Sequence, residues 1–403
     1  MRRVLSLIVA AALLAVPGLS SAQEKAGVTL TPYGFLLLNT IWSAGPMATT
    51  DSAYSARYPA AGGEGGAFLM SARASRIGMR IGNLDAGFLG ATASGVLEAD
   101  FVGGYLPNAQ PTAWQAPLFR LRLANVALDW KTHYGNWSVL LGQDYGLMGP
   151  VFAYTLAYPP FPVFTQSGKI FRRTPQARLT YSRQMGAFGL QLAGAALNPA
   201  VLAPDAAPVV NFGPGNKSRV PDLEARLGLT AEVAKDMNAA VNFAYLSGWR
   251  RYYYDPATGP SHMDKRATIF GVSLVTNITK YFEFRGEWYQ NKGAEDGENG
   301  GYPGVVGAAS PATLTLLKTT GWWFQSILKP IPEVWLAFGH GIAKADAGPQ
   351  PAGSRYQNEL NHAMVLFNAS KNMKFSAEVA SATTYTSSKA QATQYSANAQ
   401  FLF

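Results

Sequence analysis

The 403-residue chain contains no cysteine. That excludes disulfides, thiolate metal centres and a cysteine-anchored lipoprotein. Histidine is scarce: His133, His262, His340 and His362 are scattered, without paired carboxylates at metal-ligand spacing, so no metal is expected. No stretch beyond the amino terminus reaches the ~18 uncharged residues that a spanning helix needs. Gly-x-Ser-x-Gly, His-Glu-x-x-His and a complete phosphate-binding loop are also missing. Gly213-Pro214-Gly215-Asn216-Lys217-Ser218 ends like such a loop but lacks its spacing and its strand-then-helix setting. These absences point away from an enzyme, a cofactor and a nucleic-acid partner.

What is present pulls in two directions. Hydrophobic residues make up 48% of the chain and aromatics 12%, yet the mean hydropathy is +0.01. A helical membrane protein would score far higher. A lumen-facing polar residue after each lipid-facing apolar one gives this average directly. The 41 glycines and 25 prolines suit many turns rather than long helices. No linker or shift of composition divides the chain, so one large closed sheet is the simplest account.

Both termini agree with that account. Arg2 and Arg3, the apolar run Val4 to Val16 and the small residues Ser20-Ser21-Ala22 read as a cleaved signal peptide over residues 1–22. Residues 23–403 then form a single barrel domain. At the other end Phe403, Phe401, Ala399, Ala397 and Tyr395 alternate with Gln400, Asn398, Ser396 and Gln394, with Leu402 out of pattern. A membrane barrel ends this way because its last strand pairs with its first, leaving no edge in lipid. The terminal Phe also resembles the assembly signal of bacterial outer-membrane barrels. The expected location is the bacterial outer membrane, among its lipid and lipopolysaccharide.

Turn signals recur between alternating segments at Asn83–Gly87, Lys131–Asn136, Arg183–Ala187, Ala234–Asn238, Asn277–Tyr281, Lys329–Glu333 and Ser370–Met373. Seven turns make eight hairpins. The expected fold is an all-β, transmembrane, antiparallel up-and-down barrel of about 16 strands, fourteen or eighteen if one turn is misread. Phe282, Phe284 and Trp288 alternate with Glu283, Arg285, Glu287 and Tyr289 in one such strand. A charge facing lipid near the midplane costs about 2–4 kcal/mol, so the charged faces belong to the lumen. The long segments Gly45–Ala67, Gly103–Pro117, Val201–Val220, Trp249–Lys265 and Asn291–Ala312 read as loops outside the cell. The loop of the third hairpin, about Gly146 to Ile170, is different. Tyr154, Tyr158, Phe161 and Phe164 make it too apolar for bulk water. It packs either into the lumen or at a subunit or loop interface.

Tyr33-Gly34-Phe35 and then Arg73-Ala74-Ser75-Arg76-Ile77-Gly78 resemble the start of the DcaP-like trimeric outer-membrane porins. So do Leu97-Glu98-Ala99-Asp100-Phe101, Phe119-Arg120-Leu121-Arg122, Leu141-Gly142-Gln143 and Arg173-Thr174-Pro175-Gln176-Ala177-Arg178. The matches span about Tyr33 to Tyr181. The resemblance implies a homotrimer of sixteen-stranded pores that passes small, often anionic, solutes. It also implies a third loop that folds into the lumen as a constriction. Asp144 and Tyr145 stand where the family has Thr-Trp, so solute preference does not simply carry over.

Charge distribution supports a pore of one sign. The mature chain has 31 Lys and Arg against 24 acids, and ten of its 17 arginines lie between Arg57 and Arg183. Alternation places Arg76 and Arg80, and Arg172 and Arg178, toward the lumen. Arg120 and Arg122 share one face of a strand whose pattern breaks near Ala124-Asn125, as at a bulge. Glu98, Asp100 and Asp144 lie among them. Guanidinium groups hold carboxylates bidentately, so a ladder of them would draw small anions through. The alternative for each arginine is bracing against Glu98, Asp100, Asp129 or Asp144. Arg250, Arg251, Lys265 and Arg266 are candidates for lipopolysaccharide phosphates outside the barrel. Trp42, Trp130, Trp137, Trp249, Trp288, Trp322, Trp323 and Trp335 read as interface girdles. A barrel hydrolase or protease, or a blocked structural or adhesin barrel, is the alternative function.

Overall fold

A computed structural model describes residues 28–403 except 50, 58–64, 87, 104–117, 160, 200–213, 255–256, 258–260, 296–300, 308–310 and 347–353. The signal-peptide reading and the second long loop therefore lie outside the described residues. Sixteen barrel strands follow in chain order. They are β1 (Thr29–Ala44), β2 (Ala67–Ser71 with Arg76–Asp85), β3 (Thr92–Gly103), β4 (Leu118–Thr132), β5 (Gly135–Tyr145), β6 (Arg173–Met185), β7 (Phe188–Leu197) and β8 (Asp222–Ala234). The second half comprises β9 (Met237–Tyr253), β10 (His262–Thr279), β11 (Phe282–Lys292), β12 (Lys318–Ile331), β13 (Val334–Ala345), β14 (Gln357–Asn368), β15 (Met373–Tyr385) and β16 (Lys389–Leu402). Each pairs antiparallel with its neighbours. β16 returns to β1 from Phe35↔Leu402 to Ala44↔Thr393, so the sheet is closed.

The last strand behaves as its alternation predicts. Tyr395, Phe401 and Phe403 are exposed on the outside, while Gln394, Ser396, Asn398 and Gln400 are buried on the inside. Gly34 and Phe403 exchange backbone hydrogen bonds of 3.1 and 3.2 Å, so pairing runs to the final residue. The outer belt continues around the barrel through Leu36, Phe68, Leu121, Leu192, Phe243, Phe270, Trp322 and Phe338, all exposed. Such a belt is stable only in lipid, where a closed sheet also satisfies every backbone group.

Six of the seven short turns fall where the sequence places them. The first lies further on, between Asp85 and Thr92. Leu89 and Gly90 hold positive φ there, and Ala91 donates to Phe88 O at 2.9 Å. Two apolar residues at the tip, Phe88 and Leu89, hide that turn from a reading based on polar turn residues. β2 is also broken between Ser71 and Arg76, where Arg73 leaves the ladder for the interior. Ser75 accordingly packs inside, its hydroxyl accepting from Leu37 N at 3.0 Å.

Among the described residues three loops reach the interior, including part of Asn291–Ala312, expected outside the cell, which packs Tyr302 and Val306 on Leu317 and Ala343. The loop of the third hairpin folds into the lumen, as expected: Ala157, Tyr158, Val163 and Phe164 share a buried cluster with Trp323, Leu360, Ala380 and Ala382 of β12, β14 and β15. The first loop is a correction. A short hairpin, Met47–Thr49 with Ser52–Ala56, turns inward and brings Ala53 into that same cluster. Its small residues fit between loop and wall, whereas the loop was expected outside the cell.

Candidate functional site

The third loop crosses the lumen because the wall supplies partners for its backbone. Glu378 on β15 accepts hydrogen bonds from Leu156 N at 2.7 Å, Ala157 N at 3.0 Å and the Thr155 hydroxyl at 2.6 Å. Gln325 on β12 accepts from Tyr154 N at 2.7 Å and donates to its carbonyl at 2.9 Å. Asn39 on β1 donates to Leu156 O at 3.0 Å. Lys169 near the loop's end is buried against Glu287 of β11 at 3.0 Å and Gly149 O at 2.5 Å. Burial lowers the proton affinity of its ammonium group, and the Glu287 charge opposes that. These donors and acceptors would otherwise be stranded away from water, so the loop is pinned at both ends and at its middle.

Side-chain packing seals the far side. Phe164 is stacked on Trp323 with ring centroids 5.5 Å apart, and Tyr154 meets Trp335 edge-on at 5.2 Å. Trp323 and Trp335 thus face the loop, not an interface girdle, which corrects the sequence reading for both. Trp42, Trp137, Trp249, Trp288 and Trp322 are exposed on the outside. Gly339 and Gly341 on β13 make room: a Cβ at either would meet the Phe164 ring at 2.7–2.8 Å, and one at Gly341 would also strike Ser167 O.

Opposite this seal stands the arginine cluster. Arg122 of β4 is almost enclosed, and all three guanidinium nitrogens are engaged. They reach Glu98 at 2.8 Å, Asp100 at 2.9 Å and the Tyr145 hydroxyl at 2.9 Å. Arg120 grips Asp100 through two bonds of 2.9 and 2.6 Å and lies over the Phe161 ring at 4.9 Å. Arg76 approaches Glu98 at 3.6 Å and donates to Pro159 O at 3.1 Å. Arg80 stacks on Tyr33 at 4.0 Å, whose hydroxyl donates to Glu98 at 3.0 Å. The pattern break in β4 is a bulge at Arg122: Glu98 pairs with Leu123 and Ala99 with Leu121, leaving Arg122 extra. The bulge sets Arg120 and Arg122 on the same two carboxylates.

Other predicted residues group elsewhere. Arg178 of β6 approaches Asp144 at 3.8 Å and bonds Gln176 and the Tyr145 carbonyl. Arg172 joins Asp222 at 2.9 Å and Glu224 at 3.2 Å, beside Arg250, so it braces the base of the third loop apart from Arg76 and Arg120. Sequence reading missed Arg73 with Asp51, and Arg285 with Glu283 and the Phe152 carbonyl. It also missed Glu378 and Gln325, whose partners lie far off in sequence. Burial pushes the Asp51 carboxyl above its usual range, and Arg73 offsets this in part.

The arrangement sets apolar loop residues beside guanidinium groups inside a closed barrel. No family model and no curated protein matches the sequence. Solved structures match its fold. DcaP, an outer-membrane channel of Acinetobacter baumannii, superposes with a TM-score of 0.71 at 15% identity, covering 94% of this chain and 99% of DcaP. The fold is that of the outer-membrane porins. The anion-selective porin from Comamonas acidovorans gives 0.55 at 13% identity, over 93% of this chain and all (100%) of that one. OmpF of Salmonella typhi, solved with daunomycin, gives 0.55 at 14%, over 94% and 98%. The porin likeness read between Tyr33 and Tyr181 thus extends, as fold, over nearly the whole chain.

His362 and Glu378 are the one buried His–carboxylate pair among the described residues, at 3.0 Å. Ser376 donates to Glu378 rather than to the histidine, and all three are buried beneath the third loop. The trio holds a loop; it is not laid out as a nucleophile, base and orienter facing a cleft.

Proposed function

We propose that this chain is a bacterial outer-membrane diffusion channel for small hydrophilic solutes, with a preference for anions such as carboxylates. It works as a homotrimer among outer-membrane lipid and lipopolysaccharide, and it performs no chemical step. The observation that carries the reading is the charge balance opposite the third loop. Arg76, Arg80, Arg120 and Arg122 face Glu98 and Asp100, four cations to two anions. Arg122 and the two carboxylates form the base; Arg76, Arg80, Arg120 and, on the next sector, Arg178 with Asp144 line the path. Tyr154, Tyr158, Phe161 and Phe164 shape the loop side of the constriction. A positive, narrow segment concentrates anions and passes them between weak sites. One fold neighbour, from Comamonas acidovorans, is an anion-selective porin, which supports this reading.

The test is reversal potential in a planar bilayer under a KCl gradient. Conductance in steps of three with a reversal toward chloride is the expected result. Potassium preference would refute the arginine argument, and no conductance would refute the channel.

A further inference from the structure

We infer that the outward face of β9–β13 carries a binding band for the phosphates of the outer-leaflet saccharolipid. Register assembles it. Trp322 faces outward, and alternate positions along β12 and its paired neighbours share that face. Lys318 of β12 lies directly across from Lys292 of β11, and Lys292 from Thr268 of β10. Two residues further out on β10 is Arg266, across from Trp249. One position pair further in on β13 is Lys344, across from Thr320. Arg251 of β9 completes the band, paired with Asp264 at 2.7 Å. Arg266, Lys292, Lys318 and Lys344 are exposed and have no ion pair among the described residues.

Two features tie the band to a membrane interface. Each of three basic residues has an exposed aromatic four residues inward on the same face: Phe270 for Arg266, Trp288 for Lys292 and Trp322 for Lys318. Aromatics settle at headgroup depth, so these cations stand at the level of lipid phosphates. The band also occupies only the long-loop end. At the turn end the same strands present Met237, Ile278, Leu328 and Ile331, with Lys235 and Lys280 confined to the turns. The loop end of β1, β2, β4 and β8 presents Trp42, Phe68, Phe119 and Leu223 instead. Among the described residues five cations share this surface with three acids, Asp264, Asp346 and, on the adjoining β14, Glu359, so complementarity to an anionic lipid is retained.

Of the four residues singled out from sequence, Arg251 and Arg266 belong to the band. Arg250 and Lys265, paired across β9 and β10, face inward, with Arg250 on Asp222 at 2.8 Å and Glu295 at 3.0 Å. The inference rests on the outer-membrane placement proposed above but not on anion selectivity, which the reversal potential reads separately.

The experiment uses the full-length folded channel in detergent, titrated with diphosphoryl lipid A, its dephosphorylated form or phosphatidylglycerol. Native mass spectrometry reads retention. The wild type should retain the diphosphoryl lipid at least tenfold more tightly than either other lipid. Lys292→Gln with Lys318→Gln and Lys344→Gln should weaken that binding on the order of a hundredfold, with single-channel conductance unchanged. Should the triple variant fail to fold, Lys318→Gln and Arg266→Gln singly should each lose several-fold. Equal retention by the variants, or of the dephosphorylated lipid, overturns the band; equal retention of phosphatidylglycerol overturns its assignment to the saccharolipid.

Discussion

Glu98 carries more of the lumen's charge balance than any single arginine. It meets Arg122 at 2.8 Å and Arg76 at 3.6 Å and accepts from Tyr33 at 3.0 Å, almost fully enclosed. Glu98→Gln leaves Arg122 with Asp100 as its sole countercharge. Breaking a buried pair from one side costs on the order of 3–5 kcal/mol, so a lowered thermal unfolding midpoint is expected. The freed positive charge should move the reversal potential further toward chloride. The converse is Arg76→Ala with Arg178→Ala, which should reduce anion preference while the barrel stays folded. A reversal potential unmoved in that pair would mean both arginines only brace the wall.

The third loop is the element whose displacement is most readable. Its contacts with the wall are side-chain hydrogen bonds, the Lys169–Glu287 pair, aromatic packing on Trp323 and Trp335 and a small apolar cluster, so it can be loosened without touching a strand ladder. Glu378→Leu leaves Leu156 N, Ala157 N and the Thr155 hydroxyl without an acceptor, at about 1–3 kcal/mol each. Gly341→Val, on β13 and two strands from Glu378, drives a side chain into Phe164 and Ser167. Both variants should enlarge single-channel conductance and increase current noise. Conductance at the wild-type level in both would show that the loop does not set the narrowest point. The loop's apolar run was visible in sequence, and so was its inward fold by resemblance. Its anchors were not: Glu378 lies 222 residues from Leu156, and no local pattern links them.

For the whole molecule, closure is the decisive contact. β16 supplies ten register pairs to β1, from Thr393 to Leu402. A chain truncated before Gln394 should leave two lipid-exposed edges and fail to run as a compact, heat-resistant species on unboiled gels, where the full chain should do so. Selectivity belongs to this scale too, since it sums fields from several arginines. The screening length falls from about 10 Å at 0.1 M to about 3 Å at 1 M salt. Anion preference should therefore weaken as KCl rises, and a salt-independent ratio would point to steric selection by the loop.

Period-two alternation, turn residues and the lipid cost of an exposed charge act within a few residues of chain. For that reason the barrel class, the strand count and six of the seven turns were determined by sequence alone. The same local logic failed where the turn tip was apolar, at Phe88 and Leu89, and where β2 breaks for Arg73. Alternation could say that Arg76 and Arg178 look inward, but not that Arg122 is enclosed while Arg80 stacks on Tyr33. It could not turn Trp323 toward Phe164, fold the first loop inward or place Arg250 inside and Arg251 outside the same strand. Nor could it gather Arg266, Lys292, Lys318 and Lys344 into one row. Those outcomes depend on register between strands and on contacts across the lumen, which exist only once the sheet has closed.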